Sequence, residues 1–368
     1  MRRPIASRYA ALPVAFLFST VAASYDVTDK LSLGGVLAGA YQYQLLDRTN
    51  GSAEEGGGAL VLQPEISFRP TNRNEVFAKL GFAAGNGLNF KTPFTLVPWG
   101  ADLELDVKGI NGRDRDYLLT AWYQHTFEIG ETNHLAVTGG LIDATDYLDE
   151  NLYANDEYTQ FLNPALVNSP NFFAPSYDLG AALQWQLGRI SLRGVFMDVG
   201  ANDDGRSFNY FGGEVGYQAN SMLGEGNYRL VLFGTSADFL DPQGEREQER
   251  RGALVSVDQQ LGKVLGLFVR LGWQDDGAAV NFRAIYSGGL DVSGRLWGRA
   301  QHNIGLGYAH LDGGSVNIDH THIAEAYVRF ALNAYLAFTV DLQYMRDDFR
   351  DGGFVQGFIP GVRLVGAF

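Results

Sequence analysis

The stretch from Gly140 to Asn163 carries the densest set of groups able to hold a solute. Asp143, Asp146, Asp149, Glu150, Asn151, Asn155, Asp156, Glu157 and Gln160 supply carboxylates and carboxamides there. Tyr147, Leu148, Phe161 and Leu162 are interleaved with them. Carboxylates accept hydrogen bonds and amides both donate and accept, so the set suits hydroxyl-bearing molecules. Aromatic rings beside such groups stack on the CH faces of sugars. A floppy loop would not contain so many apolar residues. The pattern fits a segment that packs Tyr147, Leu148, Phe161 and Leu162 on a wall and offers its acids and amides to an aqueous path. Two other readings use the same residues. One is an acidic solvated loop. The other is a Ca²⁺ site at Asp143, Asp146 and Asp149, although the Gly of an EF-hand loop is missing.

Elsewhere the chemistry-bearing residues are sparse. The six His stand at 125, 134, 302, 310, 320 and 322, and no Gly-x-Ser-x-Gly elbow occurs. His320-Thr321-His322 has metal-ligand residue types but is expected in an external loop without further ligands. His125 reads as a wall residue on a strand. No catalytic residue, metal or cofactor is therefore expected. The chain has no Cys, which removes disulfides and Cys-based zinc sites. A formal charge of −14 argues against a nucleic-acid partner, because phosphate contacts need a cationic surface.

The elements that would position the acidic segment are strands. Leu33, Leu37, Tyr41, Tyr43 and Leu45 share one face, while Ala38, Ala40, Gln42 and Gln44 lie on the other. The same alternation runs through residues 178–187, 264–274 and 335–346, and period two is the signature of a strand. About sixteen such strands are expected, near residues 30–46, 58–69, 75–84, 116–129, 134–142, 176–187, 189–199, 209–219, 227–236, 250–261, 264–274, 284–294, 302–311, 322–332, 335–346 and 357–368. Connections between them alternate. Long ones are expected at 47–57, 85–115, 143–175, 200–208, 237–249, 275–283, 312–321 and 347–356, with short turns between. Tyr117, Tyr123, Trp185, Trp273, Tyr286, Trp297, Tyr308, Tyr344 and Phe349 fall near strand ends, as interfacial girdles require.

No segment has 18 consecutive apolar residues, so helical spans are excluded. A sheet can satisfy every backbone polar group in hydrocarbon only by closing on itself. The expected fold is thus all-β: a transmembrane antiparallel β-barrel with an inward-folded constriction segment. At this width wall side chains cannot fill the bore, which leaves a water channel. Arg193, Arg229, Arg270, Glu325, Arg329 and Arg363 fall on the polar faces, together with Glu65 and Lys79, and are expected as charges of mixed sign along the pore wall. Mixed donors and acceptors suit polar neutral solutes better than ions of one sign.

Residues Met1–Ser24 read as a cleaved secretory signal peptide: Arg2, Arg3 and Arg8, an apolar core over Ala10–Phe18, then small residues. Residues 25–368 would be the barrel. Export and a barrel together point to the outer membrane of a Gram-negative bacterium. The expected partners are outer-membrane lipid and small hydrophilic solutes.

Specific runs also resemble a known family. Tyr147-Leu148-Asp149-Glu150-Asn151, Ala154-Asn155-Asp156-Glu157 and Gln160-Phe161-Leu162-Asn163 are similar to the carbohydrate-selective porins of the glucose-porin (OprB) type. So are Val257–Gly262, Leu267–Arg270, Ala324–Arg329, Asp341–Tyr344 and Phe358–Leu364. The resemblance implies a sixteen-stranded outer-membrane channel for sugars. A terminal Phe368 on an alternating strand resembles the signal read by the barrel-assembly machinery. Val340 departs from the family, which usually has Pro there, and Asp347–Asp348 replace an Asn-Pro turn. The chain is also shorter than typical members. These departures leave the preferred solute open. The alternatives are a porin for metal cations or organic acids and, more remotely, a barrel enzyme.

Overall fold

A computed structural model describes residues 25–47, 54–130 and 132–368. The proposed leader, Met1–Ser24, lies outside them. Sixteen antiparallel strands close into a barrel. They are β1 Leu31–Asp47, β2 Glu55–Thr71, β3 Asn74–Leu80 continued by Phe82–Ala84, β4 Leu118–Glu128, β5 Asn133–Ile142, β6 Asp178–Leu187, β7 Ile190–Val199 and β8 Phe208–Ser221. The circuit continues with β9 Gly224–Thr235, β10 Arg251–Leu261, β11 Leu265–Gln274, β12 Phe282–Ser293, β13 Asn303–Gly313, β14 Ile318–Ala331, β15 Leu336–Phe349 and β16 Phe354–Ala367. Each strand pairs with its sequence neighbours, and β1 pairs with β16 from Val36↔Ala367 to Asp47↔Gln356. Closure leaves no unpaired sheet edge. The α-helix Pro164–Val167 is only a single turn.

Alternation assigns the faces. On β1, Leu33, Leu37, Tyr41, Tyr43 and Leu45 are exposed, while Ala38, Ala40, Gln42 and Gln44 are buried inside the cylinder. β2 repeats this with Leu60, Leu62, Ile66 and Phe68 outward. A continuous apolar exterior of this kind exceeds what a water-soluble monomer exposes. The aromatic girdle follows in part: Tyr123, Trp185, Trp273, Tyr286, Trp297 and Tyr308 are exposed. Phe349 instead packs against a buried cluster, and Tyr117 stacks on outward-facing Phe82.

The long-and-short alternation of connections holds around most of the barrel and fails near its end. The connections 314–317 and 350–353 lie on the long-loop side yet are short. They are short because β14, β15 and β16 each run 14 residues and extend beyond the expected strand limits. Asp347 and Asp348 consequently sit in β15 rather than in a turn, and buried Asp347 accepts from Thr321 Oγ1 at 2.5 Å. His320 and His322 lie on β14, not in a loop, with the His310 ring 4.8 Å from that of His322. Among the described residues, no group of His, Cys, Asp or Glu is arranged to hold a metal ion.

Glycine has a packing role on the inner wall. A Cβ on Gly307 of β13 would lie 2.8 Å from Leu166 and 2.9 Å from Phe161, so the missing side chain is the seat for both. Gly266 of β11 seats the Tyr153 ring, 2.3 Å from where a Cβ would stand. Overpacking a filled site costs about 1–3 kcal/mol. Gly307→Val is expected to lower the thermal transition of the folded barrel and to lower single-channel conductance by pushing Phe161 off the wall into the bore. Wild-type values for both would refute this seating.

Candidate functional site

Two segments fold into the cylinder from the same end. The first, residues 85–117, buries Leu88, Phe94, Trp99, Leu103, Val107 and Ile110. The second, residues 143–177, buries Tyr147, Leu148, Phe161, Leu162, Leu166 and Val167. They lock together where Trp99 Nε1 donates to Glu157 O at 3.2 Å and Gly100 N donates to Leu162 O at 3.0 Å. Wall amides hold the first segment: Gln42 and Gln343 both donate to Pro98 O, at 3.1 and 2.8 Å. By sequence pattern, 85–115 is a plain external connection. Its spaced large apolar residues were the available signal, matching the feature that singles out the second segment.

Each residue expected at the narrow point has a definite place. Asp143 is buried and caps a short 3-10 turn, accepting from Thr145 N at 2.8 Å. Asp149 adopts φ 59 and is buried, with Oδ2 2.6 Å from Arg270 Nε, while its N–H donates to Glu214 at 2.8 Å. Glu150 pairs with Arg193. Asn151 donates to Ser256 Oγ and Val257 O, both at 3.2 Å. Asp156 accepts from Tyr158 N at 2.8 Å, and Gln160 Oε1 accepts from Asn155 N and Asp156 N, which closes that turn. Asp146 and Glu157 are partly buried.

The wall charges are placed differently from expectation. Arg270 is 0% exposed and donates also to Leu166 O and Ala154 O. Arg363, equally hidden, donates to Glu157 O and Gln160 O, both at 2.7 Å. Arg193 donates to Tyr147 O at 3.0 Å, and Arg229 pairs with Asp258 at 2.6 Å. Glu325 accepts from Leu162 N and Asn163 N at 2.5 and 3.0 Å. Arg329 lies near the turn-side rim, where it donates to Gln301 O. Arg193, Arg270, Arg363 and Glu325 are therefore clamps that satisfy the backbone of the inward segment. An irregular segment deep in a barrel needs such partners for its carbonyls and N–H groups.

What remains available is a cluster around Lys79. Lys79 stands opposite Glu65 in the β2–β3 register and 5.9 Å from the Tyr177 ring centroid. It makes no ion pair among the described residues, and the charges of Asp146, Glu65, Asp143 and Asp102 all act on it. Asp102 accepts from Gln63 Nε2 and Tyr177 OH, each at 2.7 Å. Burial pushes the Asp102 carboxyl up to about 6 and, with Asp156 and Asp102 adding repulsion, that of Glu157 up to about 8. Burial also raises Asp146. Carboxylates with raised pKa values lose charge as pH falls through those values. Any cation preference set by this cluster should decline between about pH 8 and 6, and reversal potentials in a salt gradient check that. A flat response down to about pH 4, the ordinary carboxylate range, would refute it.

This geometry defines a porin-type barrel: sixteen strands, an apolar exterior, and a polar interior against which two connections pack. Comparison with known proteins agrees. The family described as "Carbohydrate-selective porin, OprB family" matches residues 101–347. The high-pH structure of Pseudomonas putida OprB aligns with a TM-score of 0.72 at 15% identity, covering 92% of this chain and 94% of that one. The outer membrane channel DcaP of Acinetobacter baumannii aligns with a TM-score of 0.58 at 10% identity, covering 92% and 97%. An uncharacterized protein of Aquifex aeolicus (strain VF5) is 28% identical over 312 residues, 83% of this chain and 89% of that protein. The chain belongs to the carbohydrate-selective porin, OprB, family. It is a channel, not an enzyme.

Proposed function

We propose that the barrel sits in an outer membrane and gives passive, carbohydrate-preferring diffusion to small hydrophilic solutes. The observation that carries this reading is the use of the inner arginines. Because Arg193, Arg270 and Arg363 are engaged with the inward segment, the polar groups left partly exposed on the inner side include Lys79, Glu65, Asp102, Asp146 and Glu157. A cation facing carboxylates across a path offers donors and acceptors to both sides of a hydroxylated ring, which exchanges them for its water shell. The affinity stays weak, as release requires. In this reading the exterior leucines and aromatics meet lipid, and the long connections face outside the cell. Met1–Ser24 directs export and is removed, and Phe368 engages the assembly machinery.

A second reading, a preference for cations, is favoured by the excess of acids over Lys79 in this cluster. Planar bilayers separate the two. Glucose at millimolar concentration should reduce the ionic current in a saturable way. Strong cation selectivity with no sugar effect would favour the second reading and refute the first.

A further inference from the structure

A polar recess of about 270 Å³ lies on the outer wall of the barrel, at the loop-side ends of β12, β13 and β14. Strand register fixes the side on which it lies. His310 and Asp312 share a face of β13 with exposed Leu306 and Tyr308, whereas Ala309 and Leu311 of the other face are buried. Across the sheet His310 stands opposite Tyr286 of β12 and His322 of β14, and Asp312 stands opposite His320. The recess therefore continues the lipid-facing wall, at and just beyond the level of the exposed aromatics Trp273, Tyr286 and Tyr308. Charged groups on that wall are costly at mid-bilayer and cheap at its edge, where aromatic belts sit, so this row marks headgroup level.

Its polar groups reach the surface. His310 and Asp312 each keep 32% of their side-chain surface, and Asp319 keeps 60%. Both carboxylates are opposed by an imidazole: His310 Nε2 is 3.0 Å from Asp312, and His320 Nδ1 is 3.1 Å from Asp319. His320 Nε2 also lies 3.1 Å from Asp348, which Arg346 holds as well. Arg350 donates to Gly314 O. Two groups remain uncommitted. Arg283 is exposed and makes no hydrogen bond or ion pair among the described residues. Nor does Nε2 of His322, whose Nδ1 faces Tyr308 OH and His310. Other outward arginines at this end are paired, Arg251 with Glu249 and Asp275 and Arg346 with Asp348.

We infer that this recess docks the phosphorylated sugar headgroup of an outer-leaflet glycolipid. Arg283 and the His322 imidazole supply donors for a phosphate, the partner that guanidinium geometry favours. Asp312 and Asp319 keep carboxylate oxygens for the hydroxyls of the attached sugar. These groups spread over three strands, about 10 Å at the usual strand spacing, which is wider than one phosphate and matches a phosphosugar. The acyl chains then run along the wall past Tyr308 and Leu306. The inference rests on the long connections facing outside the cell and is independent of what the bore prefers.

The test is native mass spectrometry of the full-length protein in detergent micelles containing equal amounts of diphosphoryl lipid A, its dephosphorylated form and dioleoylphosphatidylethanolamine. The wild type is expected to retain diphosphoryl lipid A roughly tenfold over the other two. Arg283→Gln should cut that retention roughly tenfold, and His322→Gln by a smaller factor. Arg251→Gln removes an equal charge from the loop-side end of β10 and should leave it unchanged. Wild-type retention in Arg283→Gln, an equal loss in Arg251→Gln, or no wild-type preference for the phosphorylated lipid would each refute the site and leave the channel reading intact. The placement is checked separately, since the chain has no Cys: Gln243→Cys, in a long connection, should react with a membrane-impermeant maleimide on intact cells. Without that labelling the outward placement fails, and the site with it.

Discussion

Arg270→Ala is expected to loosen the inward segment and to destabilise the barrel by about 3–5 kcal/mol, the cost of leaving one member of a buried ion pair alone. Arg270 is fully buried and joins three separated points of the segment: the Asp149 carboxylate, Ala154 O and Leu166 O. Removing it strands a carboxylate and two carbonyls away from water. The expected signature is a lower thermal transition together with larger, noisier single-channel conductance. The double variant Arg270→Met with Asp149→Asn removes both charges at once. Asn tolerates the left-handed backbone at position 149, so this variant should recover much of the lost stability. A double-mutant cycle on the two positions measures the coupling. If Arg270→Ala kept both the wild-type melting and conductance, the arginine would not be the clamp described.

Lys79→Glu is expected to move ion selectivity toward cations by roughly tenfold in permeability ratio. A unit charge about 5 Å from a permeating ion is worth about 1 kcal/mol even at the dielectric constant of water, and reversing its sign doubles the effect. Lys79 is the cation within a cluster that also contains Glu65, Asp102, Asp143 and Asp146, so little else compensates its loss. Arg363→Gln, by contrast, should act mainly through the position of the segment, because its guanidinium is bonded to Glu157 O and Gln160 O. Reversal potentials in a tenfold salt gradient compare the two. Equal shifts would refute the distinction between free and engaged wall charges.

The barrel was legible because alternation is local. Leu33 through Leu45 declare their face without reference to any other strand, and the same holds along Leu265–Gln274 and Leu336–Phe349. The inward packing of Tyr147, Leu148, Phe161 and Leu162 was legible for a similar reason, as apolar density in a stretch otherwise rich in acids. Partnership was not legible. Period two puts Arg270 on the inner face, but its engagement with Asp149 depends on a segment more than a hundred residues earlier in the chain. Strand ends were likewise beyond local pattern. Asp347 looks like a turn residue until Thr321 and Thr95 N are found beside it, and His320 looks like a loop residue until β14 is seen to extend to Ile318. The inward course of 85–117 was missed although Leu88, Phe94, Leu96, Trp99 and Leu103 give it a like apolar density, because the two buried clusters they join are assembled only on closure.

The most direct measurement is solute uptake by liposomes carrying the purified full-length protein, read as swelling rate across a panel of size-matched solutes. The account predicts that monosaccharides enter faster than organic-acid anions and amino acids of similar size, with every solute slowing as it grows. Swelling that ranks organic acids or amino acids above sugars, or no swelling at all, would contradict it.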